Sequence, residues 1–260
     1  TRLGDDPFGH YIANALKKNE IGTSLVTYDD VYRTGIQLKN RVTDGSDPYA
    51  PYYRKGSAAS HITISEIDAI DLTDVELVHV TGIPPALSQS ARKATFRLMD
   101  RAKEAGIFIT FDPNLRPALW EDEETMCTVI NQLAAKADVV LPGIGECKIL
   151  AGTEDKKEAA DFYQKLGVKT VIIKDGSKGA YVQTADEHYD VAGYKVEKVV
   201  DTVGAGDGFA VGVLSGILEG LDLKTSVKRG NAIGAIQVMN IGDNEGLPTA
   251  EKLKAFQENN

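Results

Sequence analysis

At 260 residues and 42% hydrophobic composition, the chain is long enough to bury one large α/β core without disulfide or metal staples. Its 38 acidic against 29 basic residues leave a formal net charge of −9, which argues against nucleic acid or an anionic membrane surface as a partner. Cys127 and Cys147 stand far apart and outside any CxxC pair, no run of about 18 apolar residues offers a membrane span, and the opening residues lack the charged-then-apolar order of a signal peptide. A reducing cytoplasm is the expected compartment.

A helix-like segment opens at Phe8-Gly9-His10-Tyr11-Ile12. Residues 22 to 66 then read as a small β excursion, with short strands at Thr23 to Val26, Gly35 to Leu38, Tyr52 to Arg54 and His61 to Ile64 and a polar loop at Thr43 to Pro48. Its expected place is a lid over the mouth of the main sheet; a clasp between two copies would leave the same signature. From residue 75 onward β-rich runs alternate with helical periodicity: strand Val75 to Val80, helix Ser90 to Ala105, strand Ile107 to Phe111, helix Glu123 to Lys136, strand Val139 to Leu141, helix Lys156 to Leu166 and strand Thr170 to Lys174. Such alternation predicts parallel pairing. The runs Ala180 to Thr184 and Glu187 to Ala192 are too close for a crossover helix and predict an antiparallel edge. Helices are expected at Gly208 to Glu219, Ser226 to Met239 and Ala250 to Gln257. The expected architecture is α/β: a mostly parallel sheet with helices on both faces, binding ligands beyond the carboxyl ends of its strands.

The run Asp201-Thr202-Val203-Gly204-Ala205-Gly206-Asp207 precedes an apolar stretch to Leu221. Small residues where a strand gives way to a helix let backbone N–H groups converge on an anion, and the helix adds partial positive charge. Asp207, in the first helical turn, could serve as a base for a hydroxyl beside that anion, or simply as a cap. Three other loops carry chemistry. Lys174-Asp175-Gly176-Ser177-Lys178-Gly179 is a Gly-spaced turn open to a nucleotide phosphate or a plain hairpin turn; Asp112-Pro113-Asn114-Leu115-Arg116 offers a guanidinium that could bind a carboxylate or phosphate, or pair with Glu121 or Asp122. In Tyr52-Tyr53-Arg54, strand alternation puts Tyr52 and Arg54 on one side and Tyr53 on the other. Two arginines on opposite walls of one cleft would suit an acidic substrate. The four histidines are scattered without metal-ligand spacing, so Mg²⁺ arriving with a nucleotide is the expected metal.

The segment Asp201 to Asp207 resembles the D-T-x-G-A-G-D signature of the ribokinase/PfkB family of carbohydrate kinases. The resemblance extends through the turn Gly4-Asp5-Asp6-Pro7-Phe8-Gly9, the β excursion and the segment Lys174 to Gly179. It implies one ribokinase-like three-layer α/β domain over 1–260, residues 22–66 forming a β lid, and ATP with Mg²⁺ as cofactors. Within the family it is strongest to members acting on 2-keto-3-deoxygluconate, through Tyr52 to Ser60, Asn114-Leu115-Arg116 and Gly242-Asp243-Asn244-Glu245-Gly246. It implies ATP-dependent phosphorylation of that sugar acid at its 6-hydroxyl, with Asp207 as base and Gly204, Ala205 and Gly206 as an anion hole. Tyr52, Arg54 and Arg116 would contact the substrate, Lys174, Gly176, Gly179 and Asn231 would face ATP, and Glu146 would organise Mg²⁺ through water. A homo-oligomer joined through the lid is expected. Two departures accompany the likeness: nothing corresponds to the family's first strand and Gly-Gly loop, and Gly143 stands three residues before Glu146 where many members carry Asn. The alternatives are another kinase of the family, such as a fructokinase or ribokinase-like enzyme, and a non-catalytic nucleotide- or sugar-acid-binding module.

Overall fold

In the computed structural model, which describes residues 1–39 and 51–260, the chain packs as two units, 1–39 with 51–138 and 139–260.

In the first unit, β1 (Arg2–Gly4) leads into α1 (Pro7–Lys18). Asp6 starts this helix, accepting from the Gly9 N–H at 2.9 Å, with Pro7 in the first turn where a missing N–H costs nothing. The Asp6 carboxylate also accepts from the Thr34 N–H at 2.8 Å, tying the helix start to the excursion. β2 (Thr27–Asp29) pairs in parallel with β1, displaced from the expected Thr23 to Val26 because those residues form a turn closed by Val26 N–H on the Thr23 carbonyl. β3 (Ile36–Gln37) and β4 (Tyr52–Tyr53) are antiparallel, Gln37 opposite Tyr52; the expected polar loop at Thr43 to Pro48 lies outside the described residues.

The expected strand at His61 to Ile64 does not form. Ala58–His61 is a 3-10 turn and α2 (Ile64–Asp68) follows directly. Thr63 and Glu66 make a reciprocal capping box, Thr63 N–H to Glu66 Oε2 at 2.8 Å and Glu66 N–H to Thr63 Oγ1 at 3.4 Å, and that T-x-x-E start signal outweighs a brief β-rich run.

β5 (Leu77–Thr81), the short α3 (Ile83–Leu87), α4 (Gln89–Glu104), β6 (Phe108–Asp112) and α5 (Glu123–Ala134) complete the unit. β5 and β6 pair in parallel, Leu77 opposite Phe108 through Thr81 opposite Asp112, with α4 as the crossover. Ser88 and Asp122 cap α4 and α5. Met99, Ile109, Phe111, Met126, Ile130 and Leu133 fill the core.

The second unit runs β7 (Val139–Val140), α6 (Ile144–Ala151), α7 (Lys156–Lys165), β8 (Thr170–Lys174), β9 (Gly179–Gln183), β10 (His188–Ala192), α8 (Ala205–Leu218), α9 (Leu223–Val238) and α10 (Ala250–Glu258). β7 and β8 are parallel; β8, β9 and β10 pair antiparallel, the edge that the close spacing predicts. α8 and α9 cross at contact distance, a Cβ on Gly212 falling 2.5 Å from Gly230 Cα. Among the described residues no helix is long and apolar enough to cross a membrane.

Candidate active site

The phosphate-turn candidate differs from its sequence reading in two respects. β10 ends at Ala192, so no strand runs into it. The segment leading to it is instead fastened to the end of α9, where the Val238 carbonyl accepts from the Val200 and Asp201 N–H groups at 2.7 and 3.2 Å. And α8 begins at Ala205, three residues before the expected Gly208, with Gly204 as its N-cap at φ +76°. Ala205, Gly206 and Asp207 are therefore the first three helical residues, whose N–H groups have no partner within the helix. Gly206 and Asp207 are exposed. A carboxylate in this turn is favoured by the helix dipole.

Lys174 ends β8 beside that turn, its Nζ 3.7 Å from where a Cβ on Gly206 would sit. Both residues line a cavity of about 340 Å³, to which Gly176, Gly179, Ala205 and Asn231 also contribute. Four sequence-selected residues, Lys174, Gly176, Gly179 and Asn231, thus meet at one cavity. The rest of the wall is largely apolar: Tyr194, Val196, Val199, Phe209 and Val238. Sequence reasoning missed these, because most come from the irregular stretch after β10, where no period marks a face.

The segment Lys174 to Gly179 is both a hairpin turn and a cavity wall. Asp175 N–H donates to the Gly179 carbonyl at 2.8 Å, and a Cβ on Gly179 would fall 2.0 Å from the Val191 oxygen. Lys156 Nζ pins this turn, 2.9 Å from Asp175 and 3.1 Å from Asp190. Burial pulls the Lys156 ammonium down, but its bonds to the two carboxylates hold it above the ordinary lysine value. Asn231 is buried, and its Nδ2 donates to the Val191 and Ala192 carbonyls at 3.0 and 3.1 Å. It shapes the cavity by holding α9 against the end of β10.

Glu146 lies in the first turn of α6, a helix absent from the sequence reading, and its Oε2 accepts from the Gly143 N–H at 2.7 Å. Next to it, burial, reinforced by the Glu146 charge, pushes the Cys147 thiol up to about 12. Among the described residues no group of three or more His, Cys, Asp or Glu is placed to hold a metal.

In the first unit, Arg54 lies over the Tyr52 ring at 5.3 Å and donates from Nη2 to Gln37 Oε1 at 2.8 Å, while Tyr53 is 62% exposed on the other side. Arg116, half-buried, donates from Nη1 to the Leu115 carbonyl at 2.8 Å. Glu121 pairs with Arg92 at 3.0 Å and Asp122 caps α5. Asn114 is held at φ +41°, its N–H on Asp112 Oδ1 at 3.1 Å, in the left-handed region that Asn enters more readily than most non-glycine residues.

Comparison with known proteins finds relatives over nearly the whole chain. The family model described as pfkB family carbohydrate kinase matches residues 1–250. The chain is 48% identical over 257 residues to a 2-dehydro-3-deoxygluconokinase of Bacillus subtilis (strain 168), covering 98% of this chain and 79% of that protein. A PfkB protein from Polaromonas sp. JS666 superposes with a TM-score of 0.88 at 44% identity, over 98% of this chain and 82% of that one. A putative ribokinase II from E. coli, crystallised with ATP and Mg²⁺, superposes with a TM-score of 0.89 at 26% identity, over 100% of this chain and 82% of that one. The ribokinase-like α/β fold is shared with these structures.

Proposed function

The chain belongs to the pfkB family and is an ATP-dependent carbohydrate kinase, and from that premise we propose that it transfers the γ-phosphoryl group of ATP to the 6-hydroxyl of 2-keto-3-deoxygluconate. The observation that carries the reading is the meeting of Lys174, the glycines of its turn and the first turn of α8 at one apolar-walled cavity. An apolar slot suits a flat heteroaromatic base, while the ammonium and the helix N-terminus suit phosphates. The B. subtilis relative is named for the same sugar acid, and the E. coli structure holds ATP and Mg²⁺.

In the proposed step Asp207 accepts the proton of the 6-hydroxyl as that oxygen bonds to the γ-phosphorus and the bond to the bridging oxygen of ADP breaks. The N–H groups of Gly204, Ala205 and Gly206 take the charge that spreads over the transferring oxygens, and Lys174 holds the phosphate chain. Little covalent chemistry is asked of the protein, so alignment and a fixed field are sufficient apparatus. Mg²⁺ would supply charge neutralisation across the phosphates. Glu146 offers the hard oxygen chemistry that suits the ion through water, and a nucleotide-borne Mg²⁺ needs no three-residue protein cluster. Gly176, Gly179 and Asn231 shape the nucleotide wall. Tyr52, Arg54 and Arg116 contact the acceptor, the guanidiniums answering its carboxylate.

We further place the enzyme in the cytoplasm, since neither cysteine is in a disulfide. Two copies would join through residues 22–66, where Tyr28, Val31 and Tyr53 are exposed. The deciding measurement is ADP release with ATP, Mg²⁺ and a panel of acceptors. Preference for 2-keto-3-deoxygluconate over fructose, ribose and adenosine is expected. Equal or better turnover of a neutral sugar overturns the substrate assignment, and tight ATP binding without turnover of any of them overturns the catalytic one.

A further inference from the structure

Gln237, on α9, is fully buried, yet its Oε1 has no hydrogen-bond partner among the described residues. A buried unsatisfied carbonyl costs stability, and leucine or methionine would fill the same space without it. What the side chain gains is on its other end. Its Nε2 donates to the Gly242 carbonyl at 2.6 Å and to the Val203 carbonyl at 3.4 Å. Asp201 joins the same two residues through their other backbone groups, accepting from the Val203 N–H on Oδ1 at 3.0 Å and from the Gly242 N–H on Oδ2 at 3.2 Å. Both backbone groups of Val203 are thus stitched to both backbone groups of Gly242 by two side chains. Val203 immediately precedes Gly204, the N-cap of α8.

We propose that Gln237 is a positioning residue for phosphoryl transfer: it fixes the Val203 carbonyl, and through it the direction of the Gly204 to Asp207 N–H groups, against the Gly242 turn. The assignment rests on reading that turn as the transfer centre. Its logic is preorganisation. The N–H groups must point at the transferring oxygens before the charge develops, and a turn free to rock by a fraction of an ångström loses that. The sugar and the flat base of the nucleotide depend on other walls, and the turn's N–H groups are needed most when charge spreads over the transferring oxygens, so the loss falls chiefly on kcat.

The test is Gln237→Met, which keeps the volume, removes the donor and removes the orphaned oxygen. Expected are a melting temperature close to or modestly below the parent's, because the two carbonyls left without their donor offset the orphaned oxygen that is removed, KM for ATP and sugar unchanged, and kcat lowered by roughly 10- to 100-fold. Gln237→Glu is the second variant. Ionised, it has nothing to donate to the two carbonyls; protonated, it donates again, so its kcat relative to the parent's should recover as pH falls. Full turnover in the folded Met variant overturns the assignment, and so does a Glu variant whose kcat relative to the parent's does not change with pH. So does a Met variant that melts lower and loses activity through KM, which marks a packing residue. Asp207→Asn run in parallel separates the two levels: normal turnover there removes the reading beneath, whereas a dead Asp207→Asn beside a fully active Gln237→Met removes the positioning role alone.

Discussion

Gly204 backs directly onto the carbonyl of Asp243: a Cβ at residue 204 would lie 2.2 Å from that oxygen, and the backbone there has φ +76°. The two constraints act together. Left-handed geometry alone costs an alanine about 1–2 kcal/mol, and relieving the overlap would push apart the Gly204 and Asp243 turns. Gly204→Ala should therefore lower the melting temperature and, by tilting the first N–H groups of α8, lower kcat. A melting curve and a turnover assay on the same preparation check it; an unchanged kcat would show that the turn tolerates displacement.

Asp207 is the exposed third residue of α8, so its side chain can change with little effect on packing. Asp207→Asn keeps size and hydrogen-bonding capacity and removes the base. It should lower kcat by roughly 10²- to 10⁴-fold, with the melting temperature and ATP affinity nearly unchanged. Near-parental turnover would exclude Asp207 as the base.

Asn231 is the opposite case, a buried side chain whose amide donates to two carbonyls at the end of β10. Asn231→Leu strands both, and an unsatisfied buried acceptor costs about 1–3 kcal/mol. Since the side chain also lines the cavity, the expected result is a lower melting temperature together with a raised KM for ATP. Raised KM at full stability would mean that the amide touches the nucleotide rather than the β10 carbonyls.

What the sequence made legible follows the strength of the local signal. α4, α5, α7, α10 and β8 lie within one or two residues of their predicted bounds, because a polar cap or a β-branched run marks each of them. α6 was unreadable: its eight residues, Ile144 to Ala151, carry Gly145 inside and scatter apolar residues around the helix, leaving no face to detect. The start of α8 was read late because Gly-Ala-Gly-Asp looks like loop until the Asp243 carbonyl behind Gly204 is seen. Among candidate site residues, the loop glycines and Lys174 were legible from turn chemistry. Tyr194, Val199 and Gln237 were not, since their roles come from tertiary neighbours. Val199 stands on irregular chain, and Gln237 on α9 reads like any polar helix residue.

Asp6 gives the fold a pH signature. The hydrogen bond from the Thr34 backbone is the largest effect and outweighs the opposing effect of burial, and with the smaller contribution from the Gly9 N–H it holds the carboxyl below the ordinary 3.8. A folded value below the unfolded one means that the contribution is present above pH 3.8 and fades as pH falls through the folded value. Asp6→Asn should therefore lose stability at neutral pH and lose less than the parent on acidification. Parallel stability–pH curves for the two proteins would show that Asp6 contributes nothing through its charge.

Arg54 carries the most direct test of substrate charge. Its guanidinium is pre-set by the Gln37 bond at 2.8 Å and by the Tyr52 ring at 5.3 Å, so it meets a carboxylate with little conformational entropy left to lose. A hydrogen bond to a charged group contributes about 1.5–3 kcal/mol, and losing it should raise KM for the sugar acid by roughly 10- to 150-fold. Arg54→Met, which keeps much of the apolar stem, is the cleanest replacement, and ATP binding should stay as it was. The informative comparison is between acceptors. If Arg54 answers a carboxylate, the variant's penalty is large for 2-keto-3-deoxygluconate and small for a neutral sugar such as fructose at matched conditions. An equal penalty for both would mean that Arg54 supports the excursion's fold, through Gln37 and Tyr52, and reads no charge.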